Sequence, residues 1–202
     1  MTPITIDYDR FLPTPDPWTS DLGLKTLFSY FDPNLTHIWA DLREFCRLAN
    51  DPNHKYSLLN YHETMVSILY RLLTTNFDQN TPEEALRMGM LVFSGSIFLQ
   101  LNRTRTRFSK VADAMEAVLY QFTERRSTNP LAKVVLWLQF VDAISFVTSG
   151  LVIQDARLRP AIEDTGAESW EDVRAILKSL LWIDAQHDAL GKRVYDTVMG
   201  LV

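Results

Sequence analysis

Apolar side chains recur along most of this chain at the spacing of an α-helix, with polar and charged residues between them. The predicted helical segments, in chain order, are 33–49, 57–75, 82–101, 107–123, 129–147, 170–183 and 189–199. No segment alternates apolar and polar residues between turn signals, as a strand does. The pattern therefore predicts an all-α fold, a single-domain bundle of about seven or eight helices.

Residues typical of helix starts accompany these segments. Proline stands at or beside the first helical position at Pro33, Pro82 and Pro130, where its missing amide hydrogen is not needed. Ser169 has Asp172 three residues later, a spacing that lets each side chain cap the backbone of the other. The segment that begins beside Pro130 is apolar nearly all round, so it is predicted to be the central helix.

The first 20 residues differ from the rest of the chain. They hold four of its nine prolines, and proline removes backbone donors and favours extended structure. We predict an extended Pro-rich arm over residues 1–20 and one helical domain over residues 21–202. The arm lacks the cationic start and apolar run of a signal peptide, and polar residues interrupt the longest apolar stretches, so no membrane span is predicted.

Composition and charge narrow the classes of partner. With 20 Lys and Arg against 25 Asp and Glu the net charge is −5, which disfavours direct binding to nucleic acid. The single cysteine, Cys46, excludes an internal disulfide, and with four dispersed histidines and no His-Glu-x-x-His motif we expect no metal and no cofactor. Cys46 is predicted to be a small buried thiol, and the protein to be intracellular, in cytoplasm or nucleus.

One candidate proton-transfer group is His62. It shares a helical face with Leu58, Met65, Leu69 and Leu72, so it is predicted to be at least partly buried. A buried imidazole needs a partner or a cavity. Two interpretations stay open: a core histidine bonded to a backbone carbonyl, or a ligand-pocket or proton-transfer group.

A second candidate lies on the predicted central helix. Gln139, Asp142 and Ser145 form a polar stripe on an otherwise apolar segment, and such a stripe either meets solvent or lines a cavity. If it lines a cavity, Asp142 is a candidate base or ligand anchor. The residues predicted to contact a small hydrophobic ligand there are Trp137, Gln139, Phe140 and Phe146.

A third candidate combines two carboxylates and an imidazole: Asp184, His187 and Asp188. On a helix, a carboxylate beside His187 raises its pKa and orients the ring, which is the arrangement of an acid/base dyad. The same residues serve stability alone if they lie near a helix end closed by Gly191. If the protein is an enzyme, the predicted catalytic residues are His62, Asp142, Asp184 and His187.

Several segments carry a resemblance to a known family. They are residues 85–93, 169–178, 181–184, the His187-Asp188 pair and the Gly191-Lys192 pair. Over residues 32–202 the chain resembles the C-terminal effector domain of fungal binuclear zinc cluster transcription factors. The resemblance implies a helical, effector-like domain without catalytic residues. The family binds DNA through six clustered cysteines, which this chain lacks, so we expect no DNA binding by that route.

Three hypotheses of function follow, of which the last is a passive interaction scaffold with a solvent-filled or absent cavity. In the first, the chain is a stand-alone regulatory module that binds a small hydrophobic metabolite, a second copy of itself or a full-length regulator. In the second, it is a cofactor-independent cyclase or isomerase of fungal secondary metabolism that uses the helical pocket. The second needs only a shaped cavity and one or two proton-transfer groups.

Overall fold

The computed structural model describes residues 22–55, 57–79, 81–98, 129–147 and 155–201. Within these ranges all regular structure is helical, which confirms the all-α prediction. The described helices are α1 (Leu22–Phe28), α2 (Pro33–Ala49), α3 (Leu58–Thr74), α4 (Pro82–Phe98), α5 (Asn129–Val147), α6 (Asp155–Asp164), α7 (Trp170–Ser179) and α8 (Asp184–Met199). The predicted arm over residues 1–20 and the predicted helix over residues 107–123 lie outside the described residues.

The helix starts agree with the capping signals in the sequence. Pro33 is the first residue of α2, and the Asp32 side chain accepts hydrogen bonds from the next two backbone amides. At α7 the Ser169 hydroxyl accepts from the amide of Asp172, and the Asp172 carboxylate accepts from the amide of Ser169. Two backbone amides that have no partner within the helix are thereby hydrogen-bonded, so the predicted capping box is formed.

The last two helices begin and end at other residues than predicted. α7 ends at Ser179, because Leu180 adopts φ −105° and ψ −110°, which no helix allows. α8 begins at Asp184, about one turn before the predicted start. Asn50, at the end of α2, accepts a hydrogen bond from the amide of Asp184 and donates one to the carbonyl of Trp182. The start of α8 is therefore capped by a residue distant in sequence.

Two further helices, α1 and α6, were not predicted. α1 has only seven residues, and α6 contains Pro160, which removes a backbone donor from the helix interior. α6 packs against α5 and α8, and the guanidinium of Arg159 donates to the carbonyl of Val198. Tertiary contacts thus support a helix that its own sequence disfavours.

The core is built around α5, as the apolar pattern predicted. This helix packs against α1, α4, α6, α7 and α8. Trp137 is fully buried and meets Trp39 edge to face, with ring centroids 5.3 Å apart. Phe140 is also fully buried and packs against Trp170 and Trp182.

Two glycines allow close approach between elements. A Cβ atom on Gly89 of α4 would lie 2.2 Å from Cδ2 of Leu138 on α5. A Cβ atom on Gly191 would lie 2.8 Å from Cη2 of Trp170 and 2.9 Å from Cη2 of Trp182. The prediction that Gly191 closes a helix is wrong, because α8 continues to Met199 and its left-handed cap is at Gly200 (φ +71°).

We expect Gly191→Ala to lower the free energy of unfolding by up to about 2 kcal/mol. Overpacking against two buried rings costs about 1–3 kcal/mol and outweighs the helix propensity that alanine adds, about 1 kcal/mol. Urea unfolding monitored by circular dichroism measures the difference. Ala189→Gly, at an exposed position on the same helix, reports propensity alone. A more stable Gly191→Ala protein would contradict this packing.

Candidate functional site

His187 is the buried histidine of the described structure, only 3% exposed. Its ring lies between those of Phe93 and Trp182, with centroid distances of 5.1 and 5.0 Å. Nδ1 accepts a hydrogen bond from the amide of Ile183 at 3.0 Å, and Nε2 lies 3.5 Å from the Ser96 hydroxyl. Because Nδ1 is an acceptor, the neutral ring carries its hydrogen on Nε2.

Burial lowers the pKa of His187 to about 4, although the amide of Ile183 and the carboxylates of Asp188 and Asp184 act in the opposite direction. The expected rise in this pKa is therefore wrong: desolvation of the charged ring outweighs the nearby acids. The imidazole is neutral near pH 7 and holds a proton weakly. Its observed contacts are those of a core histidine bonded to the backbone.

The two carboxylates of the predicted dyad bond to α7. Arg174 donates to Asp184 at 2.8 Å and to Asp188 at 2.9 Å, and Lys178 adds a contact to Asp184 at 2.6 Å. Trp182 Nε1 donates to Asp188 at 2.8 Å. Partial burial raises the pKa of Asp188, but the hydrogen bonds from Arg174 and Trp182 bring it below its ordinary value. This ion-pair network joins α7 to α8 and takes the place of an Asp184–His187 pair.

The predicted ligand contacts on α5 are part of the core. Trp137 and Phe140 are fully buried, and Trp137 Nε1 donates to the carbonyl of Leu181 at 2.8 Å. Gln139 is buried, and its Oε1 has no hydrogen-bond partner among the residues that the structure describes. Asp142 is half-buried. The side chain of Phe146 lies outside the described residues. The unpartnered oxygen of Gln139 keeps the predicted small-molecule contact open as a hypothesis.

The predicted burial of His62 is wrong, because its side chain is exposed. α3 is turned so that Thr64, Ile68 and Leu72 are buried, in contact with α2 and α4. Leu58, which was expected inside beside His62, is 73% exposed. Apolar residues cover more than one face of α3, so periodicity alone does not select the inner face.

Cys46 is buried, as predicted. Burial raises the pKa of its thiol well above the ordinary value, even though a hydrogen bond with the Trp182 backbone acts to lower it. The group is a neutral thiol at physiological pH, and the thiolate is the nucleophilic form. No three His, Cys, Asp or Glu side chains converge as a metal site in the part of the chain that the structure describes.

The outward face of α3 carries most of the exposed large apolar side chains of the described structure. Leu59, Val66, Tyr70 and Leu73 are 65%, 52%, 64% and 62% exposed and form one apolar line along the helix, hereafter the outer stripe. Leu58 lies at its edge. The sequence prediction missed these residues, although a signal was present: Leu59, Val66 and Leu73 recur every seven residues.

The helix that carries the outer stripe is firmly held from behind. The Tyr61 hydroxyl on α3 donates to the carbonyl of Ile97 on α4 at 3.2 Å. Arg87 on α4 donates to the carbonyl of Leu72 at 2.8 Å, and Arg71 pairs with Asp41 on α2. The inner side of α3 is therefore bonded to α2 and α4, and the outer stripe lies on the opposite side.

Over the residues that the structure describes, these features define an all-α domain with an aromatic core and an apolar face of α3 turned to solvent. No protein-family model, curated protein or solved structure matches the chain. The likeness to fungal effector domains accordingly stays a prediction. Among the described helices, none has the length and apolar character required to cross a membrane.

Proposed function

We propose that this chain is a regulatory module that acts by binding another polypeptide, and that the bound segment is an amphipathic helix covering the outer stripe of α3. The observation that carries the proposal is the exposure of four large apolar side chains in one line, with Leu58 beside them. Together they expose on the order of 600 Å², at the upper end of the largest apolar patch on a typical monomer. Such patches mark interaction surfaces.

The spacing of the stripe defines the chemistry of the partner. Residues that repeat every seven positions form a seam that a second helix can follow at a crossing angle of about 20°. Leu59, Val66 and Leu73 occupy one heptad position, so the partner needs apolar residues at a matching repeat and a polar opposite face. Burying each leucine of the seam contributes roughly 1.5–3 kcal/mol.

The surroundings of three of the four candidate catalytic residues favour a binding function over the cyclase or isomerase alternative. Asp184 is ion-paired with Arg174, and the neutral ring of His187 is held by the Ile183 amide in the core. His62 is exposed on another helix. Effector domains of the family that the chain resembles are not enzymes, and this resemblance points the same way.

A photo-crosslinking amino acid at Val66 tests the proposal in the cells that produce the protein. We expect a defined crosslinked partner, and the crosslinked peptide should be an amphipathic helix. The purified partner should bind the wild-type protein, and Val66→Glu should weaken binding at least tenfold, because it places a charge in an apolar seam.

The matched control uses Ala175, an exposed residue on α7 away from the stripe. The crosslinker at Ala175 should not capture the same protein, and Ala175→Glu should leave the dissociation constant unchanged. Equal crosslinking from both positions, or unchanged binding by Val66→Glu, would show that the outer stripe is not a docking surface.

A further inference from the structure

The heptad positions of the outer stripe have a property that a generic docking face does not need: Leu59, Val66 and Leu73 read alike in both chain directions. Counted from Val66, Leu59 lies seven residues before and Leu73 seven residues after. His62 and Tyr70 lie four residues before and after. Both pairs therefore stand at equal heights on either side of Val66.

We infer that the helix covering the outer stripe is α3 of a second copy of this chain, in antiparallel orientation, with a two-fold axis passing beside Val66. The inference rests on the proposed docking function of the same stripe. In a two-fold interface, residue i of one copy contacts residue j of the other, and residue j of the first contacts residue i of the second. The surface must therefore be complementary to itself. Leu59 of each copy then contacts Leu73 of the other copy, and the two Val66 side chains contact each other at the axis.

Charge agrees with this pairing. In the antiparallel register Glu63, the acid next to the stripe, stands at the height of Leu69 of the other copy. The two Glu63 side chains are then six residues apart along the axis, about 9 Å. No carboxylate faces its equivalent across the seam, and Arg71 is engaged with Asp41 on the inner side. Two like charges directly opposite each other across the seam would disfavour the dimer.

The available area is enough for a dimer of modest affinity. Two copies that bury the stripe and Leu58 completely remove on the order of 1,200 Å² in total, the lower limit of specific interfaces. The seam from Leu59 to Leu73 is about 21 Å long, so two heptads of each copy face each other. We expect a dissociation constant on the order of micromolar.

Sedimentation equilibrium of the purified full chain over 1 to 300 µM, roughly bracketing that constant, tests the dimer. We expect the weight-average mass to rise from that of the 23.3 kDa monomer towards twice that value. Val66→Glu should shift the midpoint at least tenfold upward, because the two introduced carboxylates face each other at the axis. Tyr30→Ser, which removes a 79% exposed aromatic side chain from the segment between α1 and α2, should leave the curve unchanged.

Engineered cysteines test the antiparallel register. Leu59→Cys and Leu73→Cys proteins, mixed and oxidised, should form a disulfide between the two variants. Leu59→Cys alone should not, because its two copies stand about 21 Å apart and a disulfide needs Cα atoms within about 7 Å. A parallel pair would give the opposite result. Cys46 is buried and does not compete.

The outcomes separate this inference from the proposed function. A wild-type protein that stays monomeric up to 300 µM, or a dimer that Val66→Glu does not weaken, overturns the second copy as occupant. If Val66 then crosslinks to a different helical protein, the docking function stands and only the identity of the partner is wrong. If Val66 crosslinks to nothing in cells and the protein is monomeric, both fail.

Discussion

Trp137→Ala should lower the free energy of unfolding by about 3 to 5 kcal/mol, the range for removing a large buried side chain. Trp137 is fully buried at the centre of α5, beside Trp39 and Phe93. The truncation leaves a cavity among rings that cannot close over it, and it removes the donor to the Leu181 carbonyl. Urea denaturation of the purified protein measures the loss.

Two further variants separate the effect of the cavity from the effect of the lost hydrogen bond. Trp137→Phe keeps most of the ring volume but leaves the Leu181 carbonyl without its donor, so it should lose about 1–3 kcal/mol. Tyr30→Ala removes an aromatic side chain from the surface and should stay within about 0.5 kcal/mol of the wild type. If Trp137→Ala lost less than Trp137→Phe, the core role would be contradicted and the predicted ligand-contact role would gain support.

Stability should fall as the pH is lowered from about 6.5 to about 4, by on the order of 3 kcal/mol. The pKa of His187 is about 4 in the folded protein, because burial disfavours the charged ring, and about 6.5 in the unfolded chain. Between these values the unfolded chain binds the extra proton, so acid favours unfolding. The folded state therefore carries no penalty from His187 above about pH 6.5, and it loses this advantage as the pH falls towards 4.

The measurement is the free energy of unfolding from urea titrations at several pH values between 4.5 and 7.5. His187→Gln should be less stable at pH 7 but should lose most of the slope in this window, because no buried imidazole is left to titrate. His62→Gln, which changes an exposed histidine, should keep the wild-type slope. The lowered pKa of Asp188 acts at more acidic pH, below its ordinary unfolded value. A slope that survives in His187→Gln would refute the assignment.

The candidate site shows why spacing alone misled the dyad prediction. Asp184 and His187 are close in sequence, but the carboxylate bonds to Arg174 and the imidazole to the Ile183 amide. The pKa of His187 is lowered because Phe93 and Trp182 pack against the ring and exclude water from it. No local pattern contains that information, because Phe93 belongs to another helix.

The orientation of α3 likewise depends on contacts with other helices. Its sequence offers apolar residues on both sides, and periodicity selected the face with Leu58 and His62. The structure does bury Leu72 of that face, but it buries Ile68 beside it and turns Leu58 and His62 to solvent. Arg71 and Tyr61 fix this orientation, because they bond to α2 and α4. The residues left outside became the candidate docking surface.

By itself the sequence determined the helical class, the starts of α2, α4, α5 and α7, and the central place of α5. Those features depend on contacts within one turn, such as the cap at Asp32 and the box at Ser169, or on the apolarity of a whole segment. Only the tertiary structure decided the start of α8, the place of Gly191, the neutral state of His187 and the outward face of α3. Each of these depends on residues from other elements, such as Asn50 and Trp170, whose proximity the folded chain alone creates.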